Sequence, residues 1–172
     1  MFEMIEADNA WDMSQVRILY ESDVPFMEKK PFRLFIDRRK EGRLEVKVFK
    51  DEKGLFASFV IALIYADMVM IDYLEVMAEY RDSGVEKQMM EDIRQILPGA
   101  RMVLLLRPED EKRRAYYEEA GYIKSDYEIK MGDVQLEVYG LPDSYDHVSF
   151  EELVRVYDNV YGPAISGVLQ LA

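Results

Sequence analysis

The stretch IDYLEVMAEYRDSGVEK, residues 71–87, decides the reading of the fold. It opens inside a near-continuous apolar run, Met68 to Val76, of the kind that fills a central strand buried on both faces. A glycine-bearing turn at Gly84 follows. From Ser83 to Leu97 a helical stripe then carries Val85, Met89, Met90, Ile93, Ile96 and Leu97, and Pro98-Gly99 ends it. Met102 to Leu106 is a second short, buried strand. Strand, helix and strand this close together predict a right-handed βαβ crossover with parallel strands. The helix N-terminus then lies at a strand's C-terminal end, a corner that favours anionic ligands.

Towards the N-terminus, Leu44, Val46 and Val48 alternate with charged residues, Asp51 to Gly54 supply turn chemistry, and Leu55 to Tyr65 is rich in β-formers. This predicts an antiparallel hairpin. Two helices precede it. One is capped by Asn9, with Trp11, Val16, Leu19 and Tyr20 on its apolar face, and one lies within Glu28 to Arg39, with Pro31 near its start. Towards the C-terminus, Glu109 to Ala120 reads as a helix closed by Gly121, followed by strands at Tyr122 to Glu128 and Val134 to Leu141. Ser149 and Glu152 then form a capping box for a helix reaching Tyr161. The expected architecture is α/β, a mixed sheet flanked by helices. It forms one domain over residues 1–172, with a core to about residue 141 and a helical extension over 142–172.

A chain of 172 residues that is 49% hydrophobic can close one sizeable core. The absence of cysteine excludes disulfides, thiolate metal sites and a cysteine nucleophile. Met1 to Asp8 carry acids where a signal peptide needs bases, and Asp67 and Asp72 break the longest apolar stretches, so a cytoplasmic protein with no membrane partner is expected. A net charge of -12 repels nucleic acid and draws cationic amines. The lone histidine, His147, gives no support to a metal site or a Ser-His-Asp triad. A homodimer is compatible with all of this.

The quoted stretch resembles the acetyl-CoA motif of the GNAT acetyltransferases, in which a central strand runs into R/Q-x-x-G-x-G/A at a helix start; Arg81 and Gly84 match. A second stretch, KRRAYYEEAGY at residues 112–122, is similar to the family's later helix, R-x-x-x-F-Y-x-x-x-G-F, through Arg113, Tyr116, Tyr117, Gly121 and Tyr122. The resemblance spans roughly residues 1–141. It implies an acetyl-CoA-dependent N-acetyltransferase in which a small-molecule or protein amine attacks the thioester directly. The backbone around Leu74 to Val76 would hold pantetheine and polarise the carbonyl. The turn Arg81, Asp82, Ser83, Gly84, Val85, Glu86 and Lys87, with Arg113, would hold the diphosphate.

The sequence departs from the family at Glu86, where glycine or alanine is expected. A carboxylate within about 4 Å of a phosphate charge costs roughly 1–4 kcal/mol. Ser83 and Glu86 also fit a capping box, which would satisfy the helix amides internally. That alternative predicts a binding or regulatory domain with the GNAT scaffold and weakened coenzyme A affinity.

For catalysis, Tyr117 occupies the family's position for the acid that protonates the departing thiolate. Asp72 and Glu75 are acids in an apolar strand, either of them a base for the acceptor amine or one half of a structural ion pair. Alternation places them on opposite faces. Glu21 to Phe26 would border the acceptor channel, where acids and Phe26 suit a cationic, partly apolar substrate.

Overall fold

The computed structural model describes residues 1–141 and 148–172; His147 and the rest of 142–147 lie outside the described residues. The chain runs β1 (Glu3–Glu6), α1 (Ala10–Asp23), α2 (Phe32–Lys40), β2 (Leu44–Lys50), β3 (Phe56–Tyr65), β4 (Met68–Val76), α3 (Val85–Asp92), β5 (Arg101–Leu106), α4 (Glu111–Glu119), β6 (Ile123–Met131), β7 (Val134–Gly140), α5 (Phe150–Tyr161), α6 (Pro163–Ser166) and β8 (Leu169–Leu171). The strands form one mixed sheet in the order β1-β2-β3-β4-β5-β7-β6-β8. Among the described residues only β4 and β5 pair in parallel, across the predicted βαβ unit. No helix is long and apolar enough to cross a membrane among the described residues.

Each face of the sheet carries its own core. Phe59, Ile61 and Leu63 of β3 pack with Val16, Tyr20, Phe35 and Leu153 under α1, α2 and α5. Val60 and Ala62 pack with Val85, Met89, Met90 and Tyr117 under α3 and α4. The period of two along β3 is what divides the layers. Helix α5 starts at the expected capping box, with the Glu152 amide donating to the Ser149 hydroxyl at 3.2 Å and the Ser149 amide to the Glu152 carboxylate at 2.9 Å. Its buried stripe, Leu153, Val156, Tyr157, Val160 and Tyr161, has the i, i+3, i+4, i+7, i+8 spacing that faces a core.

Some local expectations change. Trp11 is 69% exposed, because the buried face of α1 runs through Asp12, Val16, Leu19 and Tyr20, about 100° around the helix. The second helix begins only at Phe32, since Pro31 caps it and a 3₁₀ turn occupies Phe26–Glu28. The crossover helix is shorter than its apolar stripe, with Ile93–Gln95 tightening into 3₁₀ geometry. The short outer strands β1 and β8 extend the sheet at both edges.

Candidate active site

The site begins with a miscount between two strands. Along β3 and β4, Ile61 pairs with Tyr73 and Ala62 with Ile71, which leaves Asp72 as an extra residue in β4. An extra residue bends its strand and increases the local twist. Pairing between β4 and β5 accordingly stops at Ile71 and Leu104, although β4 continues to Val76 and β5 to Leu106. Beyond that point the strands part.

The Met77 amide donates to the Ala57 carbonyl at 2.9 Å. Backbone groups alternate sides along a strand, so the amides of Tyr73 and Glu75 also face β3. Those of Leu74 and Val76 therefore face the opening left by β5. A cavity of about 250 Å³ occupies the split, with Leu74, Glu75, Leu105, Arg113 and Tyr117 among its lining residues.

Helix α4 delivers two of these side chains. Asp110 caps it by accepting from the Arg113 amide at 3.0 Å, and Arg113 and Tyr117 then share a face at i, i+4. The Tyr117 hydroxyl donates to the Leu105 carbonyl at 3.2 Å. Burial pushes this phenol up to about 12, so it keeps its proton at neutral pH. Glu75 has its carboxyl pushed up mainly by burial, against the pull of Arg113 at 3.7 Å and with the charges of Asp23 and Glu28 adding to the rise.

Asp72 has different surroundings. Its carboxylate accepts from the Tyr157 and Tyr161 hydroxyls, each at 2.6 Å, and pairs with the Lys30 ammonium at 3.1 Å. The ammonium also donates to the Tyr73 hydroxyl at 2.9 Å and lies 4.7–5.3 Å from the ring centroids of Tyr73, Tyr157 and Tyr161. Both charges are enclosed, with side-chain exposures of 6% for Lys30 and 2% for Asp72. The expectation that Asp72 and Glu75 lie on opposite faces fails, because the extra residue resets the alternation. Asp72 and Tyr73 both reach Lys30, and Asp72 and Glu75 both line the cavity. Of the two acids, Asp72 is the satisfied ion pair and Glu75 the one left beside the opening.

The turn after β4 has Asp82 at φ 66° and Gly84 at φ 89°, and α3 starts directly after Gly84. The capping box expected at Ser83 and Glu86 does not form. Gly84 takes the cap position, and the Ser83 hydroxyl donates to the Tyr80 carbonyl at 2.5 Å instead. Among the described residues, the amides of Val85, Glu86 and Lys87 thus have no side-chain cap. Glu86 is buried, and one of its carboxylate oxygens has no hydrogen-bond partner among the described residues. It lines a smaller hollow of about 150 Å³ with Arg81, Lys112, Arg113 and Tyr116. Arg81 pairs with Asp23 at 2.7 Å and Lys87 with Glu119 at 2.7 Å.

No protein-family model and no curated protein sequence matches the chain. Solved structures do. A Bacteroides thetaiotaomicron protein assigned to the GNAT family superposes with a TM-score of 0.72 at 16% identity, covering 94% of this chain and 98% of its own. The ribosomal-protein-S18-alanine N-acetyltransferase of Escherichia coli gives 0.67 at 16% identity, covering 82% and 93%. The dodecameric spermidine N-acetyltransferase of Vibrio cholerae gives 0.65 at 13%, covering 86% and 98%. This chain has the GNAT fold.

Within the GNAT fold, the sequence motifs bring Leu74, Glu75, Val76, Arg113 and Tyr117 to the split between β4 and β5, and Arg81 to Lys87 to the α3 corner. Lys30, Tyr73 and Tyr161 were not singled out in the sequence. Lys30 sits beside Pro31 in a stretch of mixed basic and apolar residues that reads as the start of a helix, and Tyr161 ends a helix whose stripe reads as its apolar side. Two phenols converging on one strand acid could have pointed to the network, but only once their helix had been placed against β4.

Proposed function

We propose that the chain is a cytoplasmic N-acetyltransferase that moves an acetyl group from acetyl-CoA, or a related pantetheine thioester, to a primary amine. The observation that carries this reading is the juxtaposition of Glu75, Tyr117 and the outward backbone of Leu74 in one cavity, with the outward amide of Val76 next along the same strand. A neutral pantetheine arm, rich in amides, fits the outward amides of Leu74 and Val76, while the Val76 carbonyl is held by Arg81 Nε at 3.4 Å. The α3 corner fits a diphosphate less well, because Glu86 places an unmatched carboxylate there.

An ammonium cannot attack a thioester, so its proton must leave first. Glu75, with a raised carboxyl pKa, takes it directly or through one water. The new N–C bond forms as the C–S bond breaks, while the outward amides of β4 stabilise charge on the carbonyl oxygen. Tyr117 gives a proton to the departing thiolate, the acylated nitrogen loses its second proton through solvent to restore the phenol, and Glu75 releases the first proton to solvent. Phe26 and Met27, 86% and 60% exposed on the turn before Glu28, support an acceptor that carries an apolar group beside its amine, whether small molecule or protein.

Glu86 favours a second reading, a binding or regulatory domain that turns nothing over. Acetyl transfer from labelled acetyl-CoA, measured across a panel of amines and peptides, separates the two. Transfer that Glu75→Gln lowers about 100-fold supports the enzyme. No transfer to any acceptor, with no binding of coenzyme A by calorimetry, rejects it.

A further inference from the structure

We infer that the acyl donor is recognised through its pantetheine arm, and that the nucleoside diphosphate end of coenzyme A adds little to recognition. The inference rests on the acyl-transfer reading above and follows from the charges at the α3 corner. A diphosphate needs positive groups that are not already matched. Here Arg81 is held by Asp23 at 2.7 Å, Lys112 by Asp82 at 2.5 Å and Lys87 by Glu119 at 2.7 Å. Arg113 lies between Glu75 at 3.7 Å and Asp110 at 3.8 Å.

The hollow itself is lined by three cations, Arg81, Lys112 and Arg113, and three carboxylates, Glu75, Glu86 and Asp110. Glu86 is the unmatched member. It is 9% exposed, one of its oxygens has no hydrogen-bond partner among the described residues, and it belongs to the first turn of α3, where its charge already complements the helix dipole. A diphosphate reaching the free amides of that turn would meet this carboxylate and would have to displace Asp23 or Asp82 to gain a cation. Asp82 stands on the same turn, at φ 66°.

The other end of the donor meets no such opposition. The outward amides of Leu74 and Val76 are neutral; Leu74 lines the larger, 250 Å³ opening that also holds Glu75 and Tyr117, and Val76, whose carbonyl accepts from Arg81 Nε at 3.4 Å, stands where that opening meets the smaller hollow. Selection by the strand edge, with the phosphate corner neutralised from within, defines a donor class of pantetheine thioesters with or without a nucleotide.

The test compares acetyl-CoA with S-acetylpantetheine as donors for the full chain, alongside calorimetric titration with coenzyme A and with pantetheine. We expect kcat/KM values within about tenfold of each other. Glu86→Gln, which keeps the volume and removes the charge, should raise affinity for coenzyme A about tenfold or more and leave pantetheine unchanged. A larger preference of the wild type for acetyl-CoA, or an unchanged ratio in Glu86→Gln, overturns the inference while leaving the acetyltransferase intact. Failure of both donors to transfer and of both ligands to bind rejects the two readings together.

Discussion

Replacing Lys30 by methionine tests the network at the strand irregularity most directly. Methionine keeps most of the volume and removes the ammonium, which leaves Asp72 at 2% exposure with only the two phenols of Tyr157 and Tyr161 as donors. Breaking one side of a buried pair costs about 3–5 kcal/mol, because the remaining charge stays desolvated. The lost contacts of the ammonium with three rings add to this, while the phenols offset part of it. A net loss of about 3 kcal/mol is expected. At about 2–4 °C per kcal/mol for a chain of this size, the melting midpoint falls by roughly 10 °C. Adding Asp72→Asn to Lys30→Met should recover much of the loss, since a neutral amide is cheaper to bury than an unpaired carboxylate. Urea unfolding of the wild type, both single variants and the double variant closes the cycle. A Lys30→Met loss below about 1 kcal/mol, or additive single effects, would refute the claim that the pair is a coupled, desolvated unit.

Three further outcomes follow from the site and its supports. Glu75→Gln should lower kcat about 100-fold and abolish an acid limb that lies above the ordinary carboxylate range, which a pH–rate profile will show. The same substitution should stabilise the fold at neutral pH. A carboxyl whose folded pKa is raised binds its proton more readily when folded, so it costs stability as pH climbs from the unfolded value through the raised one, and melting curves at acid and neutral pH will reveal the difference. Tyr117→Phe should reduce kcat by about 100-fold while costing only about 1 kcal/mol for the bond to Leu105, as rapid kinetics and denaturation will separate. Ser149→Ala should remove the capping box of α5 at about 1 kcal/mol, read from the urea midpoint, with donor affinity unchanged.

The elements around residues 71–87 were legible because apolar continuity, glycine and helical periodicity agree there. The strand β4, helix α3 and strand β5 follow that pattern in order and in parallel pairing. The extra residue at Asp72 was not legible. One more residue in a run of apolar side chains leaves no mark in composition, and it takes the partner strand to reveal the shift in phase. The capping box at Ser83 failed for a backbone reason. Positive-φ positions on either side of Ser83, at Asp82 and Gly84, delay the helix until Val85, so Glu86 falls within its first turn instead of reaching back. Lys30 was hidden for another reason again. Its burial depends on rings contributed by β4 and α5, far away in the chain, and no local pattern carries that information.

The irregularity at Asp72 also determines which changes this strand can absorb. The extra residue bends β4 where its pairing with β5 stops. A deletion anywhere between Ile71 and Tyr73 would bring the two strands back into step, leave Leu74 and Glu75 opposite Val60 and Phe59, remove the bend, and let β4 zip onto β5 along its whole length. The cleft depends on how many residues β4 contains as much as on which they are, so a lineage that varied this strand freely by substitution would still be unable to shorten it.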